Sequence, residues 1–220
     1  MAKSARKVKR GVVGLLVATS IASGILGLSF GKAKLNVPSY QAVRIIDGDT
    51  FETEEKQWIR LSGIDAPEKG FCGYNEAKKE LEKLVIGKDL YIKVVYHDST
   101  RLMGLVYNNK GLVATQMLAS GWAEFHNREN VDFPEMGEAS NTARDKKLGL
   151  FSKLCTQEVN PKDPTCDIKG NRINNNTATY HLPGCSSYVT SIIQLHHGDQ
   201  WFCTEGQAQK AGFVKAKTCY

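Results

Sequence analysis

Five charged side chains have the types and spacing that phosphate chemistry requires. Three are carboxylates, Asp49, Asp65 and Glu68, and two are guanidinium groups, Arg60 and Arg101. Hard cations such as Ca²⁺ and Mg²⁺ bind several oxygen ligands, so Asp49 and Asp65 are candidate metal ligands. Glu68 is close to them in sequence and is a candidate for orienting or deprotonating a water molecule.

The two arginines complete this set. Arg60 lies in a predicted strand of otherwise apolar residues, where an arginine needs an anionic partner or an exposed cleft. Arg101 opens a later predicted strand. Guanidinium groups can hold a phosphate through paired N–H donors and stabilise its developing charge. A metal, a water-activating carboxylate and two arginines are together sufficient for phosphodiester hydrolysis.

Each motif also has a purely structural interpretation. The Asp-Gly pair at residues 47–48 is common in hairpin turns, and the segment DAPE at 65–68 could simply begin a helix. A lone arginine in a strand usually pairs with a neighbouring carboxylate. The occurrence of all these motifs in order, within one barrel-like pattern of strands, favours the catalytic interpretation.

The elements that must position these residues are short. Alternating, β-branched sequence predicts strands, and apolar stripes followed by glycine predict helices. We expect three strands within 41–62, two more at 89–95 and 101–107, and helices at 75–86, 112–120 and 133–148. A small closed barrel is favoured because it buries its strands without leaving open edges.

The N-terminus carries the excess of positive charge. Residues 1–34 hold seven of the 29 Lys and Arg residues and no acidic residue, which leaves 22 basic and 23 acidic residues in the rest of the chain. The net charge of +6 therefore gives no support for nucleic-acid binding by the folded part. The composition, 41% hydrophobic and 24% charged, excludes a wholly disordered chain, a collagen-like repeat and a polytopic membrane protein.

The same segment predicts export. Residues 11–30 are uncharged and follow a basic stretch, which is typical of either a removed signal peptide or an uncleaved membrane anchor. Both alternatives place residues 35–220 outside the cytoplasm, in the periplasm, on an outward-facing membrane anchor or in the medium.

The cysteines agree with export. All six follow the apolar segment, at Cys72, Cys155, Cys166, Cys185, Cys203 and Cys219. An even number in an exported chain predicts disulfides. Their division between two predicted domains favours a pair between Cys72 and Cys155, with the other four paired among themselves. His181, His196 and His197 suggest a zinc site with the cysteines as an alternative, but the wide spacings favour disulfides.

Residues 43–68 resemble the staphylococcal nuclease (thermonuclease) family, whose signature is a strand, DGDT, a strand with Arg-Leu, and then GIDAPE. The similarity continues through Arg101, the segment GWA at 121–123 and Ala143–Arg144 to Gly149–Phe151, and covers about residues 38–153. The resemblance implies an OB-type five-stranded β-barrel with three helices. It also implies Ca²⁺-dependent hydrolysis of DNA and RNA phosphodiesters. We expect a thermonuclease-like endonuclease that acts as a monomer, although the sequence does not distinguish endonuclease from exonuclease cleavage.

Residue roles follow from the resemblance, position by position. It implies that Asp49, Asp65 and the backbone carbonyl of Ala66 bind Ca²⁺, and that Glu68 is the general base or orients the water. It also implies that the scissile phosphate is bound by Arg60 and Arg101. Two departures stand out: Ala66 replaces a frequent threonine, and residues 99–100 are Ser-Thr instead of Tyr-Gly, so a stacking tyrosine is missing there.

We expect an α+β protein with four segments: 1–34, the signal peptide or anchor; 38–155, the catalytic domain; 156–165, a linker; and 166–220, a small Cys-rich α+β module. The module resembles an accessory module of exported bacterial nucleases, on residues 166–171, 180–185 and 201–203 followed by 208–212. Trp201, Tyr180 and Lys169 either contact nucleic acid or a cell-envelope polymer, or form part of a small fold.

Two functions remain open at this point. The first is an exported Ca²⁺-dependent nuclease with DNA and RNA as substrates, attached to the membrane if residues 1–34 are retained. The second is an inactive nuclease-like barrel that binds nucleic acid or the cell envelope. Inactive copies usually lose an acidic or arginine position, and here all five are filled, which favours the enzyme.

Overall fold

The computed structural model describes residues 39–97, 100–126, 133–174 and 177–219. The described residues all belong to one compact unit, which spans Val37–Tyr220. The predicted signal peptide or anchor at 1–34 lies outside the described residues. Within the described ranges, no helix is long and apolar enough to cross a membrane.

The first part of the described chain is built around one sheet. The strands of this part of the chain, not all of which belong to that sheet, are β1 (Ala42–Ile45), β2 (Thr50–Thr53), β3 (Trp58–Leu61), β4 (Ile64–Asp65), β5 (Tyr91–His97), β6 (Leu102–Asn108), β7 (Gly111–Leu112), β8 (Glu124–Phe125) and β9 (Thr156–Gln157). The sheet has the order β1-β2-β3-β6-β5, with β7 beside β6. Its neighbours are antiparallel except for β3 and β6, which are parallel. The five strands predicted from sequence are therefore confirmed.

The two ends of this sheet are joined by backbone hydrogen bonds. Tyr40, which precedes β1, and Leu90, which precedes β5, exchange both of their N–H···O bonds, at 2.8 and 3.1 Å. Short strands β4 and β8 pair separately from the main sheet. This second pairing matters for the site described below, because both strands carry acidic residues.

Three helices form, as predicted: α1 (Tyr74–Val85), α2 (Val113–Ser120) and α3 (Pro134–Asp145). Helices α1 and α2 contact the sheet, and α3 packs against α2 and β8. Helix α1 buries Ala77, Leu81 and Val85, which lie four residues apart on one stripe. Helix α3 ends three residues earlier than its predicted limit of 148. The reason is local: Lys147 has a φ of 52°, in the left-handed region, which an α-helix cannot continue through.

The second part contains its own sheet and core. Its elements are β10 (Ile168–Asn174), β11 (Thr177–His181), β12 (Ile193–Gln194), β13 (Gln200–Phe202), α4 (Glu205–Lys210) and β14 (Val214–Lys215). The sheet order is β13-β10-β11-β14. Tyr180 packs with Ile168, Phe202 and Phe213 in a core separate from that of the first part.

Of the three residues considered for contact with nucleic acid or a cell-envelope polymer, Tyr180 and Lys169 are part of the interior of this small fold. Tyr180 is 1% exposed and Lys169 is 3% exposed, so both are interior side chains and neither presents a surface to a polymer. Trp201 is partly buried, and its indole N–H donates to Gln157 at 2.8 Å.

All six cysteines form disulfides, in the grouping expected from sequence. The pairs are Cys72–Cys155, Cys166–Cys203 and Cys185–Cys219. The zinc alternative that used the cysteines is therefore wrong. The division into two domains at 156–165 stays a prediction, because β9, at the start of that segment, pairs with β12 of the second part.

Candidate active site

Asp49 is buried at the end of a tight turn. The backbone N–H of Asp49 donates to the Asp47 side chain at 3.1 Å. Asp49 itself is only 2% exposed. The preceding Gly48 is needed for packing: a Cβ atom there would lie 2.6 Å from the Cβ atoms of both Ala66 and Ala77. Glycine therefore lets the turn approach helix α1 and the segment that follows β4.

Arg60 joins the two predicted metal-binding carboxylates. It lies on β3 opposite Thr50 of β2. Its Nη1 donates to Oδ1 of Asp49 at 2.5 Å, and its Nη2 donates to Oδ1 of Asp65 and to the carbonyl oxygen of Ile64, the latter at 3.4 Å. We expected an arginine in an apolar strand to have an anionic partner or an exposed cleft, and Arg60 has two anionic partners. Such pairing is also what the purely structural interpretation of this arginine expects.

The electrostatics of Asp49 are dominated by its burial. Burial raises the pKa of Asp49 above its ordinary value, because the charged form loses its hydration. The guanidinium of Arg60, the backbone N–H of Ala66 at 3.0 Å and the hydroxyl of Thr50 at 2.9 Å all oppose that change. These donors supply the compensation that a buried carboxylate requires.

Asp65 is in a different environment. Its side chain is 37% exposed, against 3% for Asp49. Besides Arg60, its carboxylate has His126 nearby, with Nε2 at 3.7 Å from Oδ2. The pair of carboxylates therefore consists of one interior and one accessible member, held together by a single guanidinium.

An open cleft of about 1210 Å³ lies over this pair. Five of the six predicted site residues line it, namely Arg60, Asp65, Ala66, Glu68 and Arg101. Asp49 lies beneath, in contact with Arg60 and Ala66. Glu68 is exposed to solvent, as a residue that handles a water molecule must be.

The parallel pairing of β3 with β6 explains how Arg101 reaches the same cleft. Arg60 is the partner of Met103 in this pairing. Arg101 directly precedes β6 and is two residues from Met103, so the alternation of side chains along an extended chain favours the side of Met103 and Arg60 for it. All three residues line the cleft.

Sequence reasoning missed the rest of the cleft lining, the second wall, which adjoins the first because Asp65 and Glu124 are paired across β4 and β8. Glu124 and His126 come from β8 and the residue after it, and the second part of the chain adds Arg172, His196, His197 and Gln200. A signal for the first two was present, because polar Glu124 and His126 alternate with Ala123 and Phe125. No comparable pattern marks the others, whose position depends on how the second part packs.

Glu124 is ionised in this wall. Burial alone would raise the pKa of Glu124, but the adjacent His196 and His197 lower it well below its ordinary range. The hydrogen bond from His197 to Glu124, at 2.5 Å between Nε2 and Oε2, correspondingly raises the pKa of His197. The cleft therefore has carboxylates and cations on both of its walls.

Comparison with known proteins supports the same assignment. The family model described as staphylococcal nuclease homologue matches residues 58–153. An uncharacterized endonuclease of Escherichia coli is 34% identical over 117 residues, which are 51% of this chain and 76% of that protein. Staphylococcal-like nuclease CAN1 of Arabidopsis thaliana is 37% identical over 120 residues, 52% of this chain and 35% of that protein.

A third relative, an uncharacterized 38.1 kDa protein of Capnoides sempervirens, is 33% identical over 124 residues. The chain spans only about a third of the length of these two plant relatives, whereas it spans three quarters of the bacterial one. Family membership implies an OB-type fold for the matched part. On the combined match of family model, bacterial relative and site residues, the chain belongs to the staphylococcal nuclease family.

Proposed function

We propose that this protein is a Ca²⁺-dependent nuclease that hydrolyses phosphodiester bonds of DNA and RNA outside the cytoplasm. The observation that carries the proposal is the contact of Arg60 with both Asp49 and Asp65 at the floor of a cleft that Glu68 and Arg101 also line. The relatives named as endonucleases support the same class of reaction.

The donor set fits a hard cation. Asp49 and Asp65 supply carboxylate oxygens, and the peptide groups of Ile64 and Ala66 lie beside them. Oxygen ligands of this kind are those that Ca²⁺ binds, and we assign Asp49, Asp65 and the carbonyl of Ala66 to it. When bound, Ca²⁺ supplies positive charge that offsets the negative charge of the phosphodiester.

The remaining residues have separate roles. Glu68, exposed in the cleft, accepts a proton from the attacking water or orients it. Arg60 and Arg101 bind the scissile phosphate, whose charge increases towards the transition state. The ion pairs of Arg60 with two carboxylates fix the direction of its guanidinium, so little conformational entropy remains to be lost when substrate binds.

The export part of the proposal rests on two features. Residues 1–34 have the composition of a signal peptide or membrane anchor, and the three disulfides are typical of an oxidising compartment. C-terminal fusion to a reporter that is active only after export tests this. An inactive exported reporter, together with an active cytoplasmic one, would contradict it.

We further infer that the main sheet forms a closed OB-type barrel and that the protein acts as a monomer. The bonds between Tyr40 and Leu90 support closure, because they connect the regions next to the two edge strands. Sedimentation of the purified chain tests the oligomeric state, and a stable dimer would contradict this inference.

Digestion of plasmid DNA and of a single-stranded RNA, with Ca²⁺ and with chelator, tests the activity. We expect cleavage of both substrates only with Ca²⁺. A double variant, Glu68→Gln with Arg101→Lys, controls for contaminating nuclease. If the parent and this variant are equally inactive but both bind nucleic acid, the chain is instead a binding protein.

A further inference from the structure

A second group of side chains that could bind a metal ion lies on the second wall of the cleft. It consists of Glu124, His196 and His197, none of which has a role in the proposed hydrolysis. Nε2 of His197 is 2.5 Å from Oε2 of Glu124, and Nε2 of His196 is 3.7 Å from Oε1 of the same carboxylate. One ligand atom from each residue lies within 4.8 Å of the other two.

His196 shows that this group is not satisfied by hydrogen bonding alone. Its side chain is 1% exposed, and neither Nδ1 nor Nε2 has a hydrogen-bond partner. Burying polar nitrogen atoms without partners costs free energy, so such an arrangement needs a physical explanation. A metal ion bound to one of these nitrogens would supply the missing partner.

The two histidines are held in place by their surroundings. They lie on a 3₁₀ turn (Leu195–His197) that ends at Gly198, whose φ of 83° is in the left-handed region. A Cβ atom at Gly198 would meet the ring of Phe71 at 3.1 Å. Asp199 accepts hydrogen bonds from the backbone N–H of Gln194 at 2.8 Å, just before the turn. The backbone of the turn that carries the imidazoles is therefore held in place before any ion binds.

We propose that Glu124, His196 and His197 bind a divalent transition metal ion, and that zinc fits this site best. Two imidazole nitrogens and one carboxylate oxygen are ligands that zinc prefers, whereas Ca²⁺ selects oxygen alone. Three protein ligands leave a fourth position for water or for a group in the cleft. The two walls of the cleft thus carry sites for chemically different cations.

The geometry requires only small movements. Ligand atoms in a tetrahedral zinc site, at about 2.0–2.1 Å from the metal, are about 3.3 Å apart. The three ligand atoms here lie within 4.8 Å of one another, so no separation must shorten by more than about 1.5 Å, and the 2.5 Å contact between His197 and Glu124 must lengthen by about 0.8 Å. Changes of this size are within the reach of side-chain rotation.

A competing explanation is an ordinary ion-pair network. Among the described residues, Arg144 is also near this carboxylate, with Nη2 at 3.8 Å from Oε1 of Glu124. The cysteine-containing group of Asp163, Cys166 and Cys203 offers no alternative zinc site, because its two sulfurs are bonded to each other. Zinc binding by the oxidised chain would therefore not come from thiolates in the described residues.

The test uses the oxidised full chain, purified without a histidine tag and stripped with a chelator. Zinc is titrated calorimetrically with Ca²⁺ in excess, so that the other wall is occupied. We expect one zinc ion per chain. X-ray absorption at the zinc edge should show two imidazoles and no sulfur; an absence of imidazole, a sulfur ligand or an absence of binding would each overturn the proposal.

Variants locate the site independently. Glu124→Gln and His197→Gln should each weaken zinc binding by at least ~100-fold, because loss of a direct ligand exceeds the usual effect of an outer partner. His181→Gln is the matched control, since it is a histidine of the same part outside the cleft. Equal zinc affinity in the parent, Glu124→Gln and His197→Gln would refute the assignment, as would an equal loss in His181→Gln. The absorption spectrum of the parent keeps the test valid if a variant fails to fold.

Discussion

Asp65 and Glu124 are directly opposite partners in the antiparallel pair of β4 and β8. Like charges opposite each other in a sheet are destabilising. Each carboxylate here has its own basic partner, which offsets this repulsion: Arg60 lies beside Asp65, and His197 lies beside Glu124. One backbone register thus fixes the positions of both carboxylates. The proposed calcium and zinc sites are connected by this single pairing.

Glu68→Gln separates chemistry from metal binding. The amide retains the shape but cannot accept a proton, so we expect the cleavage rate constant to fall by ~10²-fold or more with little change in Ca²⁺ affinity. Glu76→Gln is the matched control, because Glu76 is an exposed carboxylate of helix α1 outside the cleft. Cleavage by Glu68→Gln at the parental rate in saturating Ca²⁺ would show that Glu68 is not the base.

Asp49→Asn and Asp65→Asn should both weaken Ca²⁺ binding, because a neutral amide is a poorer ligand for a hard cation. They should differ in stability. Asp49 is interior and bonded to Arg60, so its variant should lose about 1–3 kcal/mol of unfolding free energy. The Asp65→Asn variant should lose less than about 1 kcal/mol of unfolding free energy, because Asp65 is more exposed. Urea denaturation without Ca²⁺ measures both, and an equal loss would contradict the distinction.

Arg60→Lys should be damaging although it preserves the charge. A single ammonium group cannot span Asp49 and Asp65 as the two Nη atoms do, and it cannot present paired donors to a phosphate. We expect a loss of ~10²–10³-fold in cleavage rate, the size seen when one transition-state donor is removed. Arg44→Lys, at an exposed position on β1, is the control and should cleave normally. Arg101→Lys should resemble Arg60→Lys.

The second part should become less stable in mild acid because of His181. Burial, together with the nearby charge of Lys169, lowers the pKa of His181. The unfolded chain then binds the proton more readily than the folded chain, so stability declines as the pH falls below the ordinary value of about 6.5.

Denaturation midpoints at pH 7.5 and pH 5.5, for the parent and for His181→Gln, measure this contribution. The parent should lose more stability between the two pH values than the variant does, because the variant has no group to titrate at that position. Identical pH dependence in both proteins would exclude His181 as the cause.

The contacts among Asp49, Arg60 and Asp65 were predictable because they depend on local structure. A tight turn and two neighbouring strands bring these residues together within 17 positions of sequence, and the period of two along a strand fixes which side chains share a face. Helix ends were less predictable. The early end of α3 depends on the backbone conformation of Lys147, which the sequence pattern does not indicate.

The second wall of the cleft was not predictable from local sequence patterns. Glu124 and His197 are 73 positions apart, and their contact depends on how the second part of the chain packs over β8. Hydrophobic periodicity describes single elements and contains no information about such packing. For the same reason, the histidines were considered from sequence only as partners of the cysteines, which instead form disulfides.

The Cys72–Cys155 disulfide joins two residues 83 positions apart and closes the chain between them into a covalent loop. A protease that cuts the backbone once anywhere inside this loop cannot release a fragment, since the two new ends remain connected through the sulfur bridge. Arg101 and Glu124 lie inside the loop, whereas Asp49, Arg60 and Asp65 precede it. A nicked molecule therefore keeps all of these residues on one covalent assembly until a reductant opens the bridge.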